Sequence, residues 1–318
     1  RNLKDPKRFP ARSADITIPH AGRANPASWG RSSTSSPRTE RFRRLVSNAR
    51  GMTAIRSDSP RPDSPRVVSL APSATATLDA LGAAECLVGV THHCDPSATA
   101  GSAHDASPVT VGGWTTPALD RVEALSPDVV FTSDGLQAEV AAACRERGLP
   151  VSHREPATLD DVLAGFRARA EALGRPAAGE RLVAAARARL DRVAAAAADS
   201  PRPVVYCEEW SDPPMAAGNW VPDAVAAAGG TYPFVEAGSR SRAVDPAEVA
   251  AADPDHVVVH VCGHGERVDP TTVTDRDWID APVHVIDDSL LNQPSPVLVA
   301  GIERLAGLFG VVDPDSVP

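Results

Sequence analysis

The stretch PAAGERLVAAARARLDRVAAAAA, Pro176–Ala198, decides the fold. It is built almost wholly of Ala, Arg, Leu and Val, mostly strong helix formers. Pro176, just after Gly174, is suited to open a helix. Leu182, Ala186, Leu190 and Val193 form an apolar stripe at helical spacing. At 1.5 Å per residue the stretch spans roughly 35 Å, about the width of a domain. What lies on either side makes this helix a rigid connector and not a surface crossover.

Upstream, strands and helices alternate. Val67–Leu70, Leu87–Val90, Asp128–Phe131 and Pro150–His153 read as buried strands. Helices are expected from an N-cap at Ser73 to Leu81, over Pro117–Leu125, and from Gln137 to Glu146 before Gly148. Thr158 and Asp161 resemble a capping box, followed by an apolar stripe at Leu159, Val162, Leu163, Phe166, Ala170 and Leu173. Downstream of Pro203 the alternation resumes. Strands are expected at Val204–Cys207, His256–Val261 and Val283–Ile286, with a closing helix over Pro296–Leu308. The two halves echo one another: Leu125-Ser126-Pro127-Asp128-Val129-Val130 matches Ala252-Asp253-Pro254-Asp255-His256-Val257-Val258, each after a short acidic helix. The expected fold class is α/β, with two Rossmann-like lobes of parallel sheets joined by a long backbone helix and a ligand cleft between the lobes. The expected division is a basic extension over 1–64, a first lobe over 65–156, connecting helices over 157–199 and a second lobe over 200–318.

The 318 residues, 42% hydrophobic and 23% charged, suffice for two ordinary domains. Residues 1–51 carry twelve basic and three acidic residues; the rest carry twenty and thirty-eight, and both lysines (Lys4, Lys7) lie in the first stretch. A lysine-free, strongly acidic body suits a halophilic source, where salt screens the repulsion. An acidic protein from a GC-rich genome is the other reading. The Ser-, Pro- and Arg-rich start has no apolar periodicity and is expected to be disordered, with Met52 the expected true start. Its aromatics are too sparse to interleave with the basic residues, so no nucleic-acid partner is expected. No apolar run reaches 18 residues, so no membrane span is expected. No apolar signal core follows Arg1 or Met52. Five widely spaced cysteines (Cys86, Cys94, Cys144, Cys207, Cys262) form no disulfide framework. Both features point to the cytoplasm, or outside it if the true N-terminus is missing. A monomer is expected.

Arg66-Val67-Val68-Ser69-Leu70-Ala71-Pro72-Ser73-Ala74-Thr75, then Leu81-Gly82 and Val88-Gly89-Val90, resembles the opening of the class III solute-binding proteins. These are the receptors for vitamin B12, iron-siderophores and haem in ABC importers. The resemblance runs over about residues 65–310, through Val111-Gly112, the Leu125–Asp128 segment and the long helix. Asp95 after Val90-Thr91-His92-His93-Cys94, Trp114, and Asp212-Pro213-Pro214 followed by Gly218 are similar to the cobalamin-binding branch. The resemblance implies two lobes on one backbone helix, little hinge motion, a corrinoid (cobalamin) ligand, no required cofactor, and an ABC permease as partner. It implies that His93 replaces an aromatic ring facing the ligand, and that the Pro-rich turn at Gln293 lies near the cleft. Three departures stand out. No export signal is visible, Ala76 replaces a common acidic residue, and permease-docking glutamates match only loosely, at Glu139 and beside Ala247 at Glu248.

Ligands of open parallel sheets lie beyond the carboxyl ends of the strands. That places His92, His93, Cys94, Asp95, Trp114, Glu208, Trp210, Asn219, Trp220 and Gln293 as candidate ligand-binding residues. Aromatic walls suit a large, flat, partly apolar ligand. His93 could stack on a corrin or coordinate its cobalt, or bond only its own loop. Cys94 and Cys207 could approach across the cleft, or be small buried residues. Asp95 could cap the next helix. Each tryptophan could instead be core. Alternating His260, Cys262 and His264, with Glu266 or Asp95, could hold zinc or iron. A metal-dependent or thiol enzyme in the same cleft is therefore the alternative to corrinoid binding, with haem or ferric-siderophore binding a third reading. No P-loop, G-x-G-x-x-G, G-x-S-x-G or H-E-x-x-H motif occurs.

Overall fold

The first sheet grows from a run of residues apolar on both faces, as a parallel sheet covered by helices requires. Its strands are β1 (Val67–Ser69), β2 (Leu87–Val90), β3 (Val109–Thr110), β4 (Val129–Ser133) and β5 (Val151–Arg154). They lie in the order β3-β2-β1-β4-β5, and every pair is parallel. The computed structural model of the chain describes residues 64–95 and 107–313. The basic extension, Met52 included, lies outside the described residues, apart from Ser64. Alternate strand residues serve opposite faces. Val68, Leu70, Val88 and Val130 pack with Val122 of α2 (Leu119–Ala124) and Cys144 of α3 (Ala138–Glu146). Val67, Leu87, Val129 and Phe131 face α1 (Pro72–Ala80) and the connecting helices. Ser73 is not the cap of α1; Pro72 occupies its first turn and Ala71 the N-cap, leaving Ser73 buried inside the helix.

Two helices follow, α4 (Leu159–Ala172) and α5 (Pro176–Ala197). The capping box forms as expected: Thr158 accepts from the Asp161 N–H, and Asp161 returns the bond. Phe166, Leu182, Val183, Ala186 and Val193 belong to one core with Leu78 and Phe131 on one side and Cys207, Val225, Ile302 and Leu305 on the other. Each such large buried side chain contributes on the order of 2 kcal/mol. Arg175 binds Glu85 at 2.5 Å and the Gly82 carbonyl at 2.8 Å, while Arg189 grips Glu303 through two bonds of 2.8 and 2.5 Å. The connector is thus packed and pinned towards both sheets, which leaves little freedom for a hinge.

The second sheet comprises β6 (Val205–Ser211), β7 (Pro214–Ala216), β8 (Arg242–Ala243), β9 (His256–Val259) and β10 (Val283–Val285), in the order β10-β9-β6-β7-β8. Helices α6 (Val221–Ala227), α7 (Pro246–Ala252), α8 (Thr271–Thr274) and α9 (Val297–Leu308) accompany it. Only β10, β9 and β6 are parallel. Beyond them β6 turns at Asp212-Pro213 into an antiparallel extension, β7 and β8. That edge was not expected from the sequence, and it carries β6 four residues past its expected end at Cys207.

Candidate functional site

At the carboxyl edge of the first sheet, β2 and β4 leave β1 on opposite sides, which opens a crevice. A fully buried glutamine, Gln137, ties the crevice together. Its Nε2 donates to the carbonyls of Leu70 (3.0 Å) and Trp114 (2.7 Å), and its Oε1 accepts from the Ser133 N–H (2.8 Å). The His92 N–H donates to the Gly112 carbonyl at 3.1 Å, which lays the β2 loop against the loop of Trp114. His92 and His93 are exposed with ring centroids 4.3 Å apart, and Trp114 is half-buried. Partial burial of the ring, and then His92, lowers the affinity of His93 for a proton. His92, His93 and Trp114 are therefore brought together. Asp95 is half-buried, and the helix it was expected to cap lies outside the described residues.

Cys94 does not join them. Its sulfur turns into the lobe, 3.0 Å from Thr75 Oγ1 and 3.4 Å from Thr91 Oγ1, and burial pushes the thiol up. Cys207 is likewise buried inside the second sheet, and burial raises its thiol well above the usual range. Neither reaches the cleft.

Strand alternation in β6 sorts the second-lobe candidates. Glu208 shares a face with Tyr206 and is fully buried. Arg276 grips it at 2.6 and 3.1 Å, and the hydroxyls of Tyr206 (3.0 Å) and Ser211 (2.7 Å) donate to it. Its acceptors are spent, so it is an internal ion pair and not a ligand contact. Trp210 packs beside Tyr206, and its indole N–H donates to the Asp212 carbonyl at 2.9 Å. Trp220 is buried in the main core and donates to the Leu291 carbonyl at 2.7 Å, so it is not a cleft wall. Asn219 takes a left-handed backbone (φ 53) where chain segments cross. A Cβ on neighbouring Gly218 would lie 2.4 Å from the Ser239 carbonyl oxygen, so only glycine fits there. Gln293 is half-buried in the turn before α9.

Glu209, one position on in β6, faces the other way. Burial raises its carboxyl, a bond to Ser241 opposes this, and the first-lobe carboxylate Asp134 raises it further. Asp134 sits at φ 81, just past β4, with its side chain accepting from the Leu136 N–H at 2.8 Å. A Cβ on Gly135 would lie 2.7 Å from Arg240 Nη2 of the second lobe. The carboxyl ends of the two sheets therefore approach one another at Asp134, Gly135, Glu209 and Arg240.

The proposed metal triad does not assemble. β9 ends at Val259, so strand alternation does not govern the following residues. His260 is fully buried, with Nδ1 2.5 Å from Asn292 Oδ1 and Nε2 unbonded; burial pushes it down to about 4, so it stays neutral. The Cys262 sulfur accepts from Asn292 Nδ2 at 3.0 Å, while His264 lies 3.0 Å from the Cys262 carbonyl. Among the described residues no three His, Cys, Asp or Glu side chains are grouped to hold a metal. Desolvation, then Glu209 and Asp288, push the Cys262 thiol up to about 12. The residue is exposed, which limits the desolvation, but the carboxylates fix the direction. A protonated thiol is a poor nucleophile.

The comparisons agree with the fold of two α/β sheets. The chain is 30% identical over 278 residues to a cobalamin-binding protein of Halobacterium salinarum, covering 81% of this chain and 72% of that one. It is similar to the apo periplasmic haem-binding protein RhuT of Roseiflexus sp. RS-1 (26% identity, TM-score 0.63, 80% of this chain and 100% of that one). It also shares the fold of the periplasmic vitamin B12-binding protein BtuF of Vibrio cholerae (19% identity, TM-score 0.61, 78% and 97%). The family described as periplasmic binding protein matches residues 67–277, and the chain belongs to that family.

Proposed function

We propose that the chain reversibly binds a corrinoid in the cleft between its lobes. The observation that carries this reading is the rim at the β1 crevice, where the exposed His92–His93 pair, its rings tilted at 38°, meets the Trp114 loop that Gln137 holds in place. A flat macrocycle with amide arms needs such ring faces and a few polar groups. The His93 ring, its proton affinity lowered, can donate its lone pair to a transition metal. The likeness to a cobalamin-binding protein supports the choice of ligand. Delivery to an ABC permease belongs to the same reading. Glu139 is exposed on α3, and Glu248 on α7 is held by Arg242.

Haem is the second reading, favoured by the likeness to RhuT. Titration of the chain in molar salt with hydroxocobalamin and, separately, with haem tests both, read by tryptophan fluorescence and the visible spectrum. Saturable one-to-one quenching by the corrinoid, weakened at least tenfold in Trp114→Ala, is the expected result. A shift of the axial band that disappears in His93→Ala would make His93 a cobalt ligand. Saturation by haem alone would replace the corrinoid with haem, and silence towards both would end the tetrapyrrole reading.

A further inference from the structure

The charged residues of α4 include one that the binding rim does not use. Arg169 lies on the apolar stripe of the helix, three residues after Phe166, and is only 2% exposed. Two other arginines, Arg189 and Arg276, each hold a carboxylate through two bonds. Arg169 has no ion pair among the described residues. Its one bond is a long one, from Nη2 to Ser133 Oγ at 3.5 Å. The charge that acts on it is of the same sign: Arg154, the last residue of β5. Burial, and then Arg154, push Arg169 down to about 10, so it keeps its charge at neutral pH. The Asp161 carboxylate, which feels Arg154, accepts at Oδ2 from the N–H groups of Ala157 and Thr158 and from the Thr158 hydroxyl, and makes no ion pair with either arginine. A buried cation beside another cation is costly unless a counter-charge arrives.

There is a place for one. Gly165 precedes Arg169 by one helical turn and is buried in the same helix. A Cβ on it would lie 3.0 Å from Arg169 Nη1 and 4.0 Å from Arg154 Nε. Both guanidinium groups thus converge on a space that a side chain at 165 would enter. Glycine inside a helix is otherwise unfavourable. We propose that Arg169, Arg154 and Ser133 form a subsite for an oxyanion, a carboxylate or phosphate group, at the carboxyl ends of β4 and β5. Guanidinium groups suit either oxyanion, because their forked donors match its oxygens. The subsite stands apart from the corrinoid reading, since it requires only the oxyanion.

The test is thermal unfolding of the full chain at fixed ionic strength in chloride, phosphate or acetate. The wild-type midpoint should rise by several degrees in phosphate, acetate or both relative to chloride, as for any ligand that binds only the folded state. Gly165→Ala should unfold in chloride at or above the wild-type midpoint and lose the oxyanion-specific rise. Arg169→Met should also lose it. No such rise in the wild type, or the same rise in Gly165→Ala, overturns the proposal. Competition identifies the source: phosphate that weakens binding of hydroxocobalamin or haem marks a group carried by the cleft ligand, and phosphate without effect marks a free anion.

Discussion

The two lobes are built alike at one end of their sheets and differently at the other. Ser126-Pro127-Asp128 leads into β4, and Asp253-Pro254-Asp255 leads into β9. Each turn begins with a left-handed residue, at φ 45 and φ 47. Each aspartate accepts from the backbone N–H that precedes its lobe's central strand, Arg66 or Val204, at 2.7 Å. Each returns its own N–H to the same residue's carbonyl at 2.8 Å. Carried along the strands, this register sets Ser133 opposite His260. Amide side chains serve both positions, Gln137 at one and Asn292 at the other. Past them the likeness ends. The first lobe finishes in hydroxyls, two exposed histidines and two arginines that hold no carboxylate among the described residues; the second finishes in a closed Glu208–Arg276 pair and a buried histidine that is neutral at neutral pH. Amino ends determine how a strand is anchored, whereas carboxyl ends are free to specialise.

The sharpest way to break the comparison is one substitution made in both lobes. Arg276→Met leaves Glu208 fully buried without its counter-charge, and such a loss costs about 3–5 kcal/mol. Arg169→Met removes a cation that has no carboxylate to abandon. Urea unfolding in chloride should therefore show a large loss for Arg276→Met and little or none for Arg169→Met. Equal losses would mean that Arg169 is as internally compensated as Arg276.

Acid should separate the lobes next. His260 is depressed to about 4 from an ordinary value near 6.5. Between those values the unfolded chain binds the proton and the folded chain does not. Stability from this group is therefore complete above about pH 6.5 and lost as the pH falls towards 4. The full loss is roughly 3 kcal/mol, at 1.36 kcal/mol per unit. Ser133, its counterpart, has no charge to gain. Unfolding followed from pH 7 to pH 4 should show a slope that flattens in His260→Gln, and an unchanged slope would remove His260 as its cause.

How much of this could be read beforehand follows from the range of the interactions. The connector was legible because helix propensity, Pro176 and the capping box at Thr158–Asp161 are local. So was the Pro-Asp repeat, which recurs in sequence. Glu208 reads as a cleft residue because its partner Arg276 is 68 positions away, and Trp220 because its acceptor Leu291 is 71 away. The β7–β8 edge was missed because strands of three and two residues leave no alternation to detect. The metal triad failed for one local reason, since β9 ended at Val259 and the alternation ended with it. One signal was present and unused. Val162, Phe166, Arg169 and Leu173 follow a helical stripe in which three members are apolar and one is charged. A charged residue in a buried stripe asks for a partner, and no local residue supplied one.

The smallest expected effect concerns what the lobes share. Asp128→Ala removes the acceptor for the Arg66 N–H, and Asp255→Ala the acceptor for the Val204 N–H. Both aspartates are exposed, so water can replace part of each bond, and about 1 kcal/mol is expected for each. The sites lie in different sheets without common partners, so the double variant should lose the sum within about 0.5 kcal/mol. Equal, additive losses in urea unfolding would make the two turns energetic as well as geometric counterparts. A loss at one turn only would mean that the second lobe keeps the shape of the turn while its central strand is anchored elsewhere, through the Tyr232 hydroxyl bonds to the Ala217 and Cys207 carbonyls at 2.8 and 3.3 Å.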